Sequence, residues 1–154
     1  MIGALVNTIG AFQTGGALAT TPDLLRSMIN VNLGPALWLT QAVVPYMQRN
    51  GSGATVHIAA RPGVEPAAGM AAYSVSKAAL VHLTRVLDLE LRPLGIRVNS
   101  VAPQLLGTAW ARASLPKEVL AHAVAPEAIA GVVAFLVSDA ATPISGAILP
   151  AYGP

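Results

Sequence analysis

Tyr73 and Lys77 stand four residues apart in the stretch AAYSVSKAAL, residues 71–80. On a helix, this spacing places the two side chains on one face, roughly 6 Å apart. The pKa of a phenol is about 10 in water, and a neighbouring ammonium group lowers that pKa because it favours the ionised form. The pair is therefore predicted to give or take a proton near neutral pH, with Lys77 lowering the pKa of Tyr73.

The same spacing also has a plainer interpretation, in which the charged residues form a solvated stripe. Lys77 falls near the helical face that carries Arg85, Asp88 and Arg92. Charges on one face of a helix are typical of a surface that meets water. Taken alone, the pattern Tyr-x-x-x-Lys favours this interpretation over a catalytic one.

Short apolar runs alternate with long helical patterns along the chain. These patterns predict strands over 3–10, 54–60, 97–102 and 147–152, helices over 22–49, 70–92 and 127–137, and a short, weakly helical segment over 108–124. Continuous apolar strands that alternate with helices indicate a parallel sheet with helices packed on its faces. The predicted fold class is therefore three-layer α/β. No linker or repeat divides the chain, so residues 1–154 are predicted to form a single domain.

The composition excludes several classes of function. Charged residues are 10% of the 154, the net charge is +2, and no run of Lys or Arg exists, so a groove that tracks nucleic-acid phosphates is not expected. The chain has no cysteine, which excludes disulfides, thiolate zinc sites and cysteine nucleophiles. His57, His82 and His122 show no paired ligand spacing, so no metal site is predicted.

Two uncharged stretches, 1–22 and 27–48, raise the question of a membrane-associated protein. Both contain glycine or proline together with asparagine and glutamine, which are costly in hydrocarbon. No positive charge precedes the first apolar run, so a secretory signal peptide is not indicated. We therefore expect a cytoplasmic globular protein that does not span a membrane.

Several stretches, taken in order, carry a resemblance to a known family. They are LVNTIG (5–10), INVNLG (29–34), AAYSVSKAAL (71–80), LGIRVNSVAP (94–103) with the Thr108 that follows, and FLVSDAATPISG (135–146). In this order they resemble the short-chain dehydrogenase/reductase family, over essentially the whole chain. The resemblance implies a Rossmann-like sheet. It also implies an oxidoreductase that uses NAD or NADP to transfer a hydride between the nicotinamide and a small carbonyl or alcohol substrate.

The resemblance implies roles for individual residues. Tyr73 matches the catalytic acid/base of the family, and Lys77 matches the lysine that holds the nicotinamide ribose. Asn32 matches an asparagine that supports a water-mediated proton relay. The positions that match segments bracing or contacting the cofactor are Asn7, Gly10, Pro103, Leu106 and Thr108.

The chain departs from the family pattern at the site itself. Ala60 occupies the position of the catalytic serine, and alanine cannot donate a hydrogen bond to the substrate carbonyl. Losing one such donor typically lowers the rate by on the order of 10²–10³. The glycine after Pro103 is replaced by Gln104. His57 is near, but strand alternation turns it to the face opposite Ala60, which predicts a structural role. We therefore expect impaired catalysis.

The glycine-rich turn that binds the cofactor pyrophosphate in this family has no counterpart in the sequence. The domain is therefore predicted to be partial, without the N-terminal βαβαβα units, and to hold the nicotinamide end of the site without the adenosine end. The strand over 3–10 would then be an unpaired sheet edge. The sequence leaves open the substrate and the choice between NAD and NADP.

The helix over 22–49 is apolar on nearly every side between its terminal charges. A helix of this kind needs more cover than four strands provide, so a homo-oligomer that pairs through the helices over 22–49 and 70–92 is predicted. An Ala-rich surface helix is the alternative. The same features keep open a second function, that of a non-catalytic half-domain acting as an assembly module.

Overall fold

Four short apolar runs pair into one parallel sheet, in the order β1-β2-β3-β4. The computed structural model describes residues 2–153 of the chain. The strands are β1 (Ala4–Asn7), β2 (Gly53–Ile58), β3 (Ile96–Pro103) and β4 (Ile148–Ala151). The helices are α1 (Pro22–Asn50), α2 (Ala71–Leu91), α3 (Ala109–Ser114), α4 (Lys117–Leu120) and α5 (Pro126–Val137).

Helices cover both faces of the sheet. On one face, Met47 of α1 and Leu87 of α2 pack in a cluster with Val98 of β3. On the other face, Leu136 of α5 packs with Val56 of β2. The faces separate because alternate residues of a strand point to opposite sides. The predicted three-layer α/β fold with a parallel sheet is therefore confirmed.

The ends of α1 follow from local chemistry. The Thr21 hydroxyl accepts a hydrogen bond from the Leu24 amide at 3.1 Å, which satisfies one of the free N–H groups of the first turn. Gly51 ends the helix with a φ of 70°, a left-handed conformation that glycine adopts at little cost. Trp38 and Tyr46 remain exposed, so the sheet and α2 leave an apolar part of this helix uncovered.

The strand β1 is shorter than the prediction of 3–10. The Asn7 side-chain oxygen accepts a hydrogen bond from the Ile9 amide at 3.1 Å, which turns the chain away from the sheet. Among the described residues, β1 pairs with β2 alone. In the described part of the chain, no helix is long and apolar enough to cross a membrane.

A buried carboxylate joins α2 to the loop before β4. Asp88 is 3% exposed and accepts hydrogen bonds from the Arg92 guanidinium and the Ser145 hydroxyl. The Ser145 hydroxyl also accepts from the Val98 amide at 3.1 Å, so the contact reaches β3. This network anchors the C-terminal strand to the helix that carries Tyr73.

Replacing Asp88 with alanine is expected to lower the free energy of unfolding by about 1–3 kcal/mol, because the Ser145 hydroxyl and the Arg92 guanidinium lose their buried acceptor. Urea unfolding followed by circular dichroism measures the change. Glu90→Ala, at an exposed position on the same helix, is the matched control and should have little effect. Equal stabilities of the two variants would contradict a structural role for the Asp88 network.

Candidate active site

A cavity of about 600 Å³ opens at the carboxyl ends of the strands. Binding sites of parallel α/β sheets lie at this edge, where loops leave the strands. The predicted site residues that line the cavity are Gly10, Ala60, Tyr73, Lys77, Pro103, Leu106 and Thr108. Asn7 and Asn32 lie behind this wall, both almost fully buried. The fold thus brings residues from both halves of the chain to one place.

Tyr73 lies in the first turn of α2, at the cavity wall. Its ring meets the Phe12 ring edge-on, with centroids 4.9 Å apart. Burial raises the pKa of Tyr73 to about 12. This net shift is opposite to the lowering that the sequence predicted, because burial disfavours the charged phenolate. At neutral pH the phenol keeps its proton and can act as an acid.

Lys77 is only 5% exposed, although it carries an ammonium group. Its Nζ donates a hydrogen bond to the main-chain carbonyl of Ile58 at 2.9 Å, where β2 ends. Burial lowers the pKa of Lys77 to about 8. Lys77 and Asp88 are both buried, so neither belongs to the solvated stripe that the sequence allowed. A buried cation at a cavity wall is a feature more typical of a functional site.

Asn32 joins the segment after β1 to the start of α2. Its side chain accepts a hydrogen bond from the Ala11 amide and donates to the Ala11 carbonyl, each at 3.0 Å. It also donates to the Ser76 hydroxyl at 3.0 Å, and that hydroxyl donates to the Tyr73 carbonyl at 2.7 Å. Sequence reasoning missed Ser76, although its position three residues after Tyr73 was a usable signal. Asn32 therefore holds the helical turn that carries Tyr73.

Gly10 allows two parts of the site to approach each other. A Cβ at this position would lie 2.8 Å from the Asn32 side-chain oxygen and 3.2 Å from the Lys77 Nζ. Any larger residue would have to displace one of these groups. The segment from Asn7 to Gly10 therefore packs directly behind the Lys77 ammonium group.

Ala60 is buried at the cavity wall and offers no hydrogen bond from its side chain. The next residue, Arg61, donates from Nη1 to the Gln104 side-chain oxygen at 2.9 Å and from Nε to Glu65 at 2.8 Å. Both Arg61 and Gln104 line the cavity. The sequence alone did not indicate their contact, because 43 residues separate them.

His57 lies outside the cavity, within the layer beneath it. It is fully buried, and neither ring nitrogen has a hydrogen-bond partner among the described residues. Burial, with a smaller contribution from the charge of Lys77, lowers the pKa of His57 to about 4. The imidazole is therefore neutral at physiological pH, in line with the structural role predicted for it.

The arrangement fits the nicotinamide end of a dinucleotide. Lys77 has ammonium N–H groups that can donate to ligand hydroxyls such as those of a ribose, and the remaining wall is mostly apolar and suited to a flat ring. Within residues 2–153, no strand-to-helix turn carries the glycine spacing that holds a pyrophosphate. The described residues can therefore hold the reactive end of such a cofactor.

Comparison with known proteins relates the sequence of this chain to dehydrogenases and reductases. The model of the family described as enoyl-(acyl carrier protein) reductase matches residues 1–153. The chain is 34% identical to 4-formylbenzenesulfonate dehydrogenase of Comamonas testosteroni, covering 97% of this chain and 65% of that protein. It is 32% identical to meso-2,3-butanediol dehydrogenase of Serratia marcescens, covering 99% and 63%.

Solved structures share the same architecture. A short-chain dehydrogenase/reductase of Burkholderia thailandensis superposes with a TM-score of 0.87 at 31% identity, covering 96% of this chain and 61% of that one. A 4-hydroxyisoleucine dehydrogenase complexed with NADH gives a TM-score of 0.86 at 26% identity, covering 97% and 66%. This chain spans about two thirds or less of the length of these proteins. On its sequence, fold and cavity, the chain belongs to the short-chain dehydrogenase/reductase family.

Proposed function

We propose that this chain carries the reaction centre of an NAD(P)-dependent oxidoreductase that interconverts a carbonyl compound and an alcohol. The single observation that carries the proposal is the joint placement of Tyr73 and Lys77 at one cavity wall. The phenol retains its proton at neutral pH, and the ammonium group is buried beside it. The relatives whose names state a substrate include dehydrogenases of an aldehyde and of a diol, and a solved neighbour is complexed with NADH.

The cofactor and the chain contribute different parts of the proposed reaction. The reduced nicotinamide, when bound, supplies a hydride that forms the new C–H bond at the carbonyl carbon. Tyr73 Oη donates its proton to the carbonyl oxygen, so one hydride and one proton convert the carbonyl to an alcohol. The phenolate that remains on Tyr73 is stabilised by the positive charge of Lys77 and recovers a proton from solvent. In the oxidation direction the same groups act in reverse.

Lys77 and Asn32 assist Tyr73 in its role as the acid. Lys77 uses one N–H on the Ile58 carbonyl, which leaves two for ribose hydroxyls and for the charge that develops on Tyr73. Asn32 fixes the turn of α2 through Ser76. We propose that Asn32 also marks the path by which a proton returns to Lys77 through water.

The titration of Lys77 predicts a pH dependence. As the pH rises through about 8, the ammonium group loses its proton and the phenolate loses its stabilising charge. The turnover number for carbonyl reduction is therefore expected to fall above pH 8, although Tyr73 remains protonated. The Lys77→Arg variant, whose guanidinium stays charged, should lose this fall. A fall of equal size in both proteins would contradict the assignment to Lys77.

Isotope transfer tests the proposed reaction directly. The chain is mixed with NADH or NADPH that carries deuterium at C4, together with benzaldehyde or 2,3-butanedione as the carbonyl probe. Mass spectrometry should find one deuterium on the carbinol carbon of the alcohol. If the folded chain transfers no deuterium to either probe from either cofactor, the proposal of catalysis by this chain is wrong.

A second candidate function is a non-catalytic assembly module, and the uncovered apolar residues of the long helices favour it. Trp38 on α1 is 61% exposed and Leu89 on α2 is 74% exposed. We propose that these helices pair with a second copy of the chain, which is compatible with either function. Sedimentation velocity should show an oligomer that Leu89→Glu weakens. A monomer at all concentrations would exclude the self-pairing.

A further inference from the structure

We propose that Gln104, oriented by Arg61, donates to the substrate carbonyl oxygen the hydrogen bond that Ala60 cannot provide. The inference rests on the proposed oxidoreductase function and adds a residue to its site. Gln104 would then be a catalytic residue, and Arg61 a positioning residue that acts through it. Substrate oxygen would lie between Tyr73 Oη and the Gln104 amide group.

The strand register explains why these residues meet. Ile58 of β2 pairs with Val101 of β3, and Pro103 of β3 pairs with Ala151 of β4. Continued beyond the strand ends, this register places Arg61, Gln104 and Tyr152 side by side. The observed contacts agree with this row: Arg61 bonds to Gln104, and its guanidinium lies 4.7 Å from the centre of the Tyr152 ring.

The contact with Arg61 fixes the orientation of the Gln104 amide. A guanidinium group can only donate hydrogen bonds, so the group of Gln104 that faces it must be the oxygen. The NH₂ group of Gln104 then points away from Arg61, and nothing in the described part of the chain accepts a hydrogen bond from it. The result is an oriented, neutral donor at the cavity wall.

Besides Gln104, the Arg61 guanidinium contacts two further side chains. Its Nε donates to Glu65 at 2.8 Å and its face stacks over the Tyr152 ring. The carboxylate of Glu65 also balances the charge of Arg61. A neutral donor beside a balanced ion pair suits an uncharged oxygen acceptor, such as a ketone or aldehyde, better than an anion.

The donor lies next to the position that lacks one. Ala60 precedes Arg61, and the register places it beside Pro103, which precedes Gln104. Ala60, Gln104 and Tyr73 all line the same cavity. A side chain at position 104 can therefore donate a hydrogen bond to the substrate carbonyl oxygen, as a hydroxyl at position 60 would otherwise do. Gln104 forms no covalent bond and loses no proton. Its hydrogen bond stabilises the negative charge that develops on the substrate oxygen while Tyr73 delivers the proton.

A double-mutant cycle distinguishes this role from a structural one. Gln104→Glu keeps the size and the acceptor for Arg61 but replaces the NH₂ donor with a carboxylate oxygen. In the parent chain this change should lower kcat/KM for benzaldehyde reduction by on the order of 10²–10³. In an Ala60→Ser background, where a hydroxyl supplies the donor, the same change should cost less than about tenfold. Gln41→Glu, an exposed position on α1, is the matched control.

A second measurement does not depend on turnover. In ¹H–¹⁵N spectra, the side-chain NH₂ signals of Gln104 should shift when benzyl alcohol, the product of the probe reaction, is added with oxidised cofactor. In Arg61→Leu these signals should move toward those of a free glutamine, and the shift on adding the alcohol should shrink. Arg61→Lys keeps the positive charge but loses the planar guanidinium group. In this variant we expect the shift of the Gln104 signals on adding the alcohol to recover only in part.

The outcomes separate this inference from the proposed function. An inactive parent chain would overturn the proposed catalysis, and the Gln104 signals would still decide whether the amide meets a ligand oxygen. A different result is an active parent chain in which Gln104→Glu has the same small effect on kcat/KM in the parent and in the Ala60→Ser background. That result would overturn the role of Gln104 as a donor. Unmoved Gln104 signals on adding benzyl alcohol would overturn it as well.

Discussion

Replacing Tyr73 with phenylalanine is expected to lower the rate of carbonyl reduction by on the order of 10²–10⁴, the usual contribution of a positioned general acid. The change removes one oxygen and keeps the ring that packs edge-on against Phe12. Because the pKa of Tyr73 is raised to about 12, the phenol supplies a proton throughout the neutral range. Steady-state kinetics with NADH and NADPH measure the loss.

The control for this prediction is Tyr46→Phe, the same chemical change at an exposed position on α1. It should leave both the rate and the melting temperature unchanged. The melting temperature of Tyr73→Phe should also stay close to that of the parent, since packing is retained. A Tyr73→Phe variant with parental activity would show that the proton comes from another source.

Acidification is expected to destabilise the fold through His57. Its pKa is about 4 in the folded chain and about 6.5 when exposed. Between these values the unfolded state binds a proton that the folded state does not, so the free energy of unfolding falls as the pH drops. Each pKa unit corresponds to about 1.4 kcal/mol, so the loss below pH 4 approaches roughly 3 kcal/mol. Total stabilities of about 5–15 kcal/mol make this a large effect.

Urea unfolding at neutral pH, at pH 6.5 and at pH 4 measures how steeply the free energy of unfolding changes with pH. The His57→Asn variant should lose most of the decrease between pH 6.5 and pH 4, whatever its stability at neutral pH. His122→Asn, at an exposed position, is the matched control and should keep the parental slope. An equal slope in the parent and in His57→Asn would assign the acid sensitivity to other groups.

The three layers and the parallel sheet could be predicted from the sequence because period and length are local signals. The end of β1 could not, because Asn7 ends the strand through a side-chain hydrogen bond to Ile9. A pattern of apolar residues carries no information about such a contact. The strand therefore stops three residues before the predicted boundary at Gly10.

The candidate site was predictable in its residues but not in its electrostatics. The spacing of Tyr73 and Lys77 requires a shared face, and the fold places both at one cavity. The direction in which the pKa of Tyr73 shifts depends on burial, and burial is a tertiary property that residue spacing does not reveal. The pairing of Arg61 with Gln104 depends on strand register, which no motif in either segment encodes.

We propose that the described residues form the nicotinamide end of a cofactor site. The most direct measurement is a thermal melt of the purified chain alone, with NADH and with NADPH. A cofactor that binds the folded chain stabilises it by RT ln(1 + [L]/Kd), so we expect a cooperative melt whose midpoint temperature rises with at least one of the two. The rise should disappear in Lys77→Met. A cooperative melt that neither cofactor shifts would contradict the claim.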